Sequence, residues 1–245
     1  MTAPLLEISG LGKRFGGFVA LDGIDLAVGE GERIGLIGPN GSGKSTLVNC
    51  ICGTLSNETG TVRFNGELLG GLKAHQRTHR GLARSFQLPR PFTSLTVAGN
   101  LRVPMVYTVN ARRGVHLSAS DIDARCAELL QLVGLAAKAD HFSRDLTQVE
   151  MRKLELARAL AAEPKLLIAD ESMAGLSQAE VADIVALLIN LNQRGITIIL
   201  IEHIMRAVMS FSQRLVVLVS GKKIADGRPD LVMQDPEVVR AYLGE

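Results

Sequence analysis

A glycine-rich stretch in the first fifth of the chain carries the clearest chemical signal. An apolar run at 33–37 precedes it and a helix-like run at 47–52 follows it, which is the strand, loop and helix order of a phosphate-binding loop. Glycines let several backbone N–H groups converge on one anion, and the helix N-terminus adds partial positive charge. Lys44 can bridge the outer phosphates of a nucleotide, and the Ser45 hydroxyl can ligate Mg²⁺. We predict a nucleotide-phosphate site rather than a simple glycine-rich turn. The candidate phosphate contacts are Gly38, Pro39, Asn40, Gly41, Ser42, Gly43, Lys44, Ser45 and Thr46.

Two acidic residues end a second apolar run. Residues 166–169 read Leu-Leu-Ile-Ala, and Asp170 and Glu171 follow directly. A buried strand that ends in carboxylates would place them at the carboxyl edge of a parallel sheet, where ligands bind. His203 follows another apolar run, so we expect it at the same edge. A pair of exposed loop acids and a structural histidine are the alternatives, and the phosphate-binding loop upstream favours the functional interpretation.

The remaining periodicity indicates the elements that position these residues. Short apolar or alternating runs predict strands, and the block from Leu95 to Glu163 is mostly helical. Within that block, Ser120 or Asp121 is expected to cap one helix, and Thr147 with Glu150 forms a capping box at the start of another. A surface loop is expected at 110–116. Further elements are predicted as strands at 5–9, 23–28, 61–66, 81–87 and 196–201, helices at 180–193 and 236–243, and a hairpin at 214–225.

Composition narrows the function classes. The chain has 245 residues, 47% of them hydrophobic and 21% charged, with a net charge of +2, so no nucleic-acid partner is expected. No apolar run approaches the roughly 20 residues that span a bilayer, and the N-terminus lacks the pattern of a secretory signal. Three cysteines make no disulfide framework, and Cys50 and Cys52 are spaced poorly for a metal. We expect a reduced, cytoplasmic protein. The basic run at 73–84 either meets an acidic partner or is a solvated face.

Taken together, these motifs resemble the ATPase subunit of an ABC transporter over nearly the whole chain. The likeness is greatest to ATPases of branched-chain amino-acid uptake systems, although similar ATPases serve amide, urea and aromatic-acid importers. It is carried by the stretches at 13–17, 83–87, 201–203 and 241–245. The resemblance implies an α/β fold: a P-loop ATPase core with a mostly parallel sheet and an N-terminal antiparallel β-subdomain, at 1–88 and 164–245. An inserted helical subdomain is expected at 89–163.

The resemblance also implies roles for individual residues, with ATP and Mg²⁺ as cofactors. Phe15 would stack on adenine, although its residue type alone equally fits a core aromatic, and Val19 would also contact the nucleotide. Glu171 would polarise the attacking water, and His203 would contact the γ-phosphate. Gln87 would sense Mg²⁺ and couple to a membrane subunit. The implied catalytic residues are Lys44, Gln87, Glu171 and His203. The implied metal ligands are Ser45, Gln87 and Asp170.

One motif departs from the family pattern. The family signature, Leu-Ser-Gly-Gly-Gln, is replaced by Leu146, Thr147, Gln148, Val149 and Glu150. In ABC dimers each ATP lies between one subunit's phosphate-binding loop and the other's signature. The β-branched Val149 would block close backbone approach and resist unusual dihedral angles. We therefore expect an asymmetric heterodimer in which ATP on this chain is hydrolysed and ATP facing Val149 turns over slowly.

The leading hypothesis is the energy-coupling subunit of an importer, lying on the inner face of the cell membrane. Its partners would be a second ABC ATPase subunit, homologous or identical, the transmembrane permease subunits, and indirectly a solute-binding protein. The permease would dock beside Gln87 and Phe92. The alternatives are the ATPase of a lipid or lipopolysaccharide exporter, a soluble ABC ATPase that acts on ribosomes or DNA, and an ATP-gated module that does not hydrolyse ATP.

Overall fold

The computed structural model describes residues 3–86, 89–171 and 173–243. These residues form two sheets and a set of helices. The strands are β1 (Leu6–Phe15), β2 (Phe18–Val28), β3 (Arg33–Ile37), β4 (Thr59–Phe64), β5 (Glu67–Leu68), β6 (Leu82–Ser85), β7 (Leu166–Asp170), β8 (Thr197–Ile201), β9 (Arg214–Val219) and β10 (Lys222–Gly227). The helices are α1 (Lys44–Cys52), α2 (Ala74–His79), α3 (Val97–Pro104), α4 (Ala119–Leu132), α5 (Gln148–Leu160), α6 (Gln178–Gln193), α7 (Met205–Phe211), α8 (Pro229–Val232) and α9 (Pro236–Leu243).

The larger sheet has the strand order β10-β9-β3-β8-β7-β6, and only β10 runs antiparallel to its neighbour. Both of its faces are covered, which explains why its strands read as continuous apolar runs. In β7, Leu166 and Ile168 pack into a core with α1 and the smaller sheet. Leu167 and Ala169 face the opposite core, which is built largely from the helices. The predicted carboxyl edge is therefore supported from both sides.

The smaller sheet is antiparallel, with the order β2-β1-β4-β5. Its first two strands form a hairpin that turns at Gly16 and Gly17, with Phe15 paired to Phe18. Backbone hydrogen bonds through the turn between β9 and β10 connect strand β2 of this hairpin to the phosphate-binding loop. There the Asp22 N–H donates to the Gly221 carbonyl at 2.9 Å, and the Gly221 N–H donates to the Ser42 carbonyl at 3.0 Å. The predicted α/β fold with an antiparallel β-subdomain is confirmed.

The segment between β6 and β7 is helical, as predicted. It contains α3, a π-helical turn at Met105–Val109, α4 and α5. The predicted cap of α4 is wrong by two residues, because Ser118 is the N-cap and Asp121 is the third helical residue of its capping box. The capping box of Thr147 and Glu150 at the start of α5 is confirmed. The limits of a helical subdomain at 89–163 stay a prediction.

The basic run at 73–84 is not a uniform solvated face, because one of its arginines is buried. Arg77 is 5% exposed, and it donates hydrogen bonds to the carbonyls of Cys50 and Ile51 at the end of α1. It also donates to the carbonyls of Leu69 and Leu72. A buried guanidinium with five donors can satisfy the terminal carbonyls that a helix leaves unpaired, so this residue has a structural role.

Other local expectations agree with the structure. The loop at 110–116, the β9–β10 hairpin and the terminal helix α9 lie where they were predicted. All three cysteines are buried and unpaired. Within the described part of the chain, no helix combines the length and the apolar character required to cross a membrane.

Candidate nucleotide-binding and hydrolytic site

The phosphate-binding loop adopts a backbone that requires glycine at two positions. Gly38 has φ +151°, and a Cβ there would lie 2.1 Å from the Leu218 carbonyl oxygen. Gly43 is the N-cap of α1 with φ +103°, and a Cβ would lie 2.7 Å from the Ala20 carbonyl oxygen. Contacts with backbone oxygens cannot be relieved by a rotamer change. The loop is therefore compressed between β2 and β9, and α1 begins directly at Lys44 with its N–H groups towards the cavity.

Lys44 is held at the centre of the loop. Its Nζ donates to the Gly38 carbonyl at 2.8 Å and the Pro39 carbonyl at 3.0 Å, and it lies 3.4 Å from Ser42 Oγ. Burial lowers the pKa of the Lys44 ammonium, while the carboxylates of Glu171 and Asp170 act in the opposite direction. The ammonium is therefore near two carboxylates and is held by three oxygen acceptors. Phosphate oxygens can replace these three acceptors.

A cavity of about 240 Å³ opens above the loop, and it brings most of the predicted residues together. Phe15 and Phe18 form its outer wall, with exposures of 48% and 62%, so both rings are available to a nucleotide base. Val19 is not among the lining residues, because alternation along β2 turns its neighbours Phe18 and Ala20 towards the cavity. The lining residues are Phe15, Phe18, Ala20, Asn40, Gly41, Ser42, Gly43, Lys44, Ser45, Thr46, Glu171 and His203.

Two of the four predicted catalytic residues are in contact. His203 Nε2 lies 2.9 Å from Glu171 Oε1, so the imidazole and the carboxylate share a hydrogen bond across the edge of the sheet. Glu171 adopts φ +44°, an unfavourable conformation for a side chain of its size that costs about 1–3 kcal/mol. Its backbone N–H donates to the Ile201 carbonyl at 2.8 Å. The strained backbone therefore lifts the carboxylate off the strand axis and into the cavity.

Glu202 supports this pair from beneath, and the sequence analysis assigned it no role. Its side chain is 3% exposed, Oε1 accepts the Met173 N–H at 2.8 Å, and Oε2 accepts the His203 N–H at 3.3 Å. Burial raises the pKa of the Glu202 carboxyl, and repulsion from Glu171 acts in the same direction against the two N–H donors. Glu202 thus ties the segment after β7 to the segment after β8.

Asp170 ends β7 behind the cavity and is 6% exposed. Arg84 donates to its Oδ2 from Nε at 3.1 Å and from Nη2 at 2.5 Å. Among the described residues nothing donates to Oδ1, and the Ser45 hydroxyl at the cavity has no hydrogen-bond partner there either. Oxygen ligands of this kind, few in number, suit Mg²⁺, which keeps several waters and phosphate oxygens in its shell. Gln87, the third predicted metal ligand, lies outside the described residues.

The altered signature lies elsewhere, at the start of α5, and none of its residues lines the cavity. Thr147 and Gln148 are exposed, Leu146, Val149 and Glu150 are partly buried, and Glu150 also forms an ion pair with Lys138 at 2.6 Å. Val149 lies within α5 and is not among the residues with positive φ, as a β-branched residue favours. What Val149 retains is steric bulk at an exposed helix N-terminus.

Comparison with known proteins decides the family. Residues 21–174 match the family described as ABC transporter, and residues 222–245 match that described as branched-chain amino acid ATP-binding cassette transporter. This chain belongs to the ABC transporter family. It is 37% identical to the high-affinity branched-chain amino acid transport ATP-binding protein BraF of Pseudomonas aeruginosa and 36% identical to LivG of Escherichia coli K12. Both alignments cover all of each chain.

Solved structures agree with this assignment. An ATP-binding cassette of an ABC transporter in its ADP conformation superposes with a TM-score of 0.86 and 31% identity, and all of both chains is covered. A dimeric cassette in a post-hydrolysis state, bound to ADP and phosphate, has a TM-score of 0.80 at 25% identity over 91% of this chain and 98% of that chain. This ABC ATPase is therefore a nucleotide-binding and ATP-hydrolysing subunit of a transporter.

An exporter subunit is also similar to this chain. The lipopolysaccharide export ATP-binding protein LptB of Haemophilus influenzae is 32% identical over 98% of each chain. The identity is lower than for the two amino-acid relatives, and the match at 222–245 favours the latter.

Proposed function

We propose that this chain is the energy-coupling ATPase of an importer for branched-chain amino acids or related small amides and acids. The observation that carries the proposal is the match of residues 222–245 to the branched-chain family, together with full-length relatives named for that transport. Solute choice itself would reside in the permease and solute-binding protein, so the ATPase would supply the work of transport.

The cavity supports in-line attack of water on the γ-phosphate of ATP. Lys44 and the N–H groups at 40–46 would hold the β- and γ-phosphates, and Phe15 or Phe18 would stack on the adenine. The Glu171 carboxylate would orient and polarise the attacking water. His203, 2.9 Å from that carboxylate, would hold its orientation and contact the γ-phosphate. A positioned base of this kind typically contributes about 10²–10⁴-fold to the rate.

Magnesium would be held by Ser45 and Asp170, with Gln87 as the proposed third protein ligand. The ion would neutralise charge that builds up on the phosphate oxygens during transfer. The contribution of the described residues is one carboxylate oxygen of Asp170 that accepts no hydrogen bond from them, and a Ser45 hydroxyl exposed at the cavity.

The permease would dock in a second cavity, of about 230 Å³, which is lined by residues of β6. It opens between α2, the end of α3 and α5, and includes Phe86, Pro104 and Arg158. Arg158 is fixed there by Glu155 at 2.8 Å and lies 5.1 Å from the centre of the Phe92 ring. An exposed aromatic pair beside an anchored cation suits an amphipathic segment of a membrane subunit, which would place this chain on the inner face of the membrane.

The proposed assembly is an asymmetric dimer. ATP bound in this chain's cavity would meet the intact signature of a second ABC ATPase, and ATP in the partner would meet Val149. The bulk of Val149 at the N-terminus of α5 would keep the N–H groups of the helix further from that γ-phosphate. A homodimer would place Val149 in both sites.

The test is ATPase activity of the purified full chain, alone and mixed with the ABC ATPase encoded beside it, with Glu171→Gln as the control. We expect activity only in the mixture and its loss when this chain carries Glu171→Gln. Robust activity of the chain alone would refute the heterodimer. Equal hydrolysis at both sites of the mixture would refute the asymmetry.

The solute is tested by uptake of radiolabelled leucine in cells that lack this gene and carry either the wild-type or the Glu171→Gln chain. We expect uptake to return only with the wild-type chain. Normal uptake in the deleted strain, with a defect in outer-membrane lipopolysaccharide, would instead support the exporter function that the LptB similarity suggests.

A further inference from the structure

Arg84 connects three parts of the molecule that the sequence does not place together. It lies on β6, and its guanidinium binds Asp170 at the end of the neighbouring strand β7, 86 residues away in the sequence. Its Nη1 donates to Asn49 Oδ1 on α1 at 2.7 Å. Its guanidinium carbon lies 5.3 Å from the centre of the Phe86 ring, and both residues line the second cavity.

The contacts on Asp170 are one-sided. Both Arg84 nitrogens bind Oδ2, and no donor among the described residues binds Oδ1. Two convergent donors on one oxygen restrict rotation of the carboxylate more strongly than a single donor does. The Asn49 contact holds the other end of the guanidinium, so the fork is anchored on both sides.

The nearby lysine does not compete for this carboxylate. Lys44 Nζ is occupied by the Gly38 and Pro39 carbonyls and by Ser42 Oγ. The described ion pairs of Asp170 are limited to Arg84, with side-chain exposures of 8% and 14%. Asp170 is therefore oriented by Arg84 in a buried setting where water contributes little.

We infer that Arg84 is a positioning residue that holds Asp170 in the orientation needed for Mg²⁺. The inference rests on the proposed magnesium role of Asp170. Residues that orient a metal ligand typically change metal affinity by about 10–100-fold when they are removed. Arg84 also lines the cavity proposed for the permease. Movement of Phe86 on docking would therefore shift the Arg84 guanidinium and change the orientation of Asp170.

The experiment compares ATP affinity in excess Mg²⁺ with ATP affinity in EDTA, by isothermal titration of the full chain. All variants carry Glu171→Gln so that bound ATP is not hydrolysed. We expect Arg84→Met to lower the ratio of the two affinities by about 10-fold or more, with the affinity in EDTA within about 2-fold of the parent. Asn49→Ala, which removes the far anchor of the guanidinium and leaves both Arg84 contacts with Asp170 possible, should lower the ratio by a smaller factor.

Arg84→Lys tests geometry against charge. A lysine keeps the positive charge but cannot donate from two fixed nitrogens, so only partial recovery of the ratio is expected. Arg80→Met is the matched control, because Arg80 lies on the same basic run and pairs with the exposed Glu67. It should leave the ratio unchanged.

An unchanged or increased ratio in Arg84→Met overturns the inference, as does full recovery in Arg84→Lys. An equal loss of affinity in Mg²⁺ and in EDTA overturns it as well, since that pattern indicates general damage to the site. Asp170→Asn separates the proposed magnesium role of Asp170 from the positioning role of Arg84. If it leaves the ratio unchanged, the proposed magnesium role fails; if it lowers the ratio while Arg84→Met does not, only the role of Arg84 fails.

Discussion

Glu202 offers the most direct test of how the hydrolytic pair is held. Replacement by alanine removes the acceptor of the Met173 N–H, which is buried, and of the His203 N–H, which is partly buried. An unsatisfied buried donor costs about 1–3 kcal/mol. The buried Met173 N–H, with a smaller contribution from the partly buried His203 N–H, predicts a loss of about 1–3 kcal/mol in the free energy of unfolding.

The same change should reduce hydrolysis more than nucleotide binding. Without Glu202, the backbone at His203 and at Met173 is no longer held, so the hydrogen bond between His203 and Glu171 loses its fixed geometry. The phosphate-binding loop is unaffected. We expect kcat of the assembled ATPase to fall about 10-fold or more, with ATP affinity nearly unchanged. Urea denaturation and steady-state ATPase assays measure the two effects.

The pH dependence has a definite sign. Because burial raises the pKa of Glu202 in the folded state above its usual 4.5, the folded chain binds the proton more tightly than the unfolded chain. The contribution of this group to stability therefore falls as the pH rises from about 4.5 through the raised pKa. Glu202→Gln lacks this titration, so its stability relative to wild type should increase over that interval.

Three results would refute the reasoning about Glu202. Wild-type stability of Glu202→Ala would show that the two N–H groups find other acceptors. A loss of ATP affinity as large as the loss of kcat would place the effect in the binding loop. A pH-independent difference between Glu202→Gln and wild type would show that the carboxyl does not titrate differently on folding.

The other predictions concern the base, the core and the dimer. Phe15→Ala should weaken ATP binding about 10-fold, the order of one stacking contact, whereas Val19→Ala should not, and fluorescent-nucleotide titration distinguishes them. A larger effect of Val19→Ala would contradict the orientation of β2, in which Phe18 and Ala20 face the cavity. Arg77→Met should destabilise the fold by about 3 kcal/mol in thermal melts, against little change for Arg80→Met, and equal melting temperatures would contradict the capping role. Val149→Gly should raise turnover several-fold at the partner's site, measured in dimers where this chain carries Glu171→Gln, and no increase would remove the basis for asymmetry.

Features that depend on neighbouring residues were predictable from the sequence. The phosphate-binding loop is complete within nine residues, and its strand and helix flank it directly, so its conformation follows from local chemistry. The buried strands were recognisable because a parallel sheet covered on both faces requires continuous apolar runs. The box of Thr147 and Glu150 was predictable because both partners lie within one helical turn.

The misassigned cap of α4 shows the limit of even local inference. Ser118, Ser120 and Asp121 are all good capping residues, so residue type alone could not choose among them. The structure selects Ser118, whose hydroxyl accepts the Asp121 N–H while the Asp121 carboxylate accepts the Ser118 N–H. This reciprocal pair needs the two residues at the N-cap and at the third helical position, which fixes the helix start.

Contacts between distant parts of the chain were decided only by tertiary structure. Nothing in β6 indicates that Arg84 binds Asp170, and nothing after β8 indicates that Glu202 caps a segment 29 residues earlier. Likewise, only the pairing of β1 with β2 showed that Phe18 faces the nucleotide cavity and Val19 does not. The sequence by itself predicted the candidate groups for phosphate and water, because they follow one another within short segments of the chain. Their orientation depends on side chains that meet only when parallel strands from three separate segments form one sheet edge.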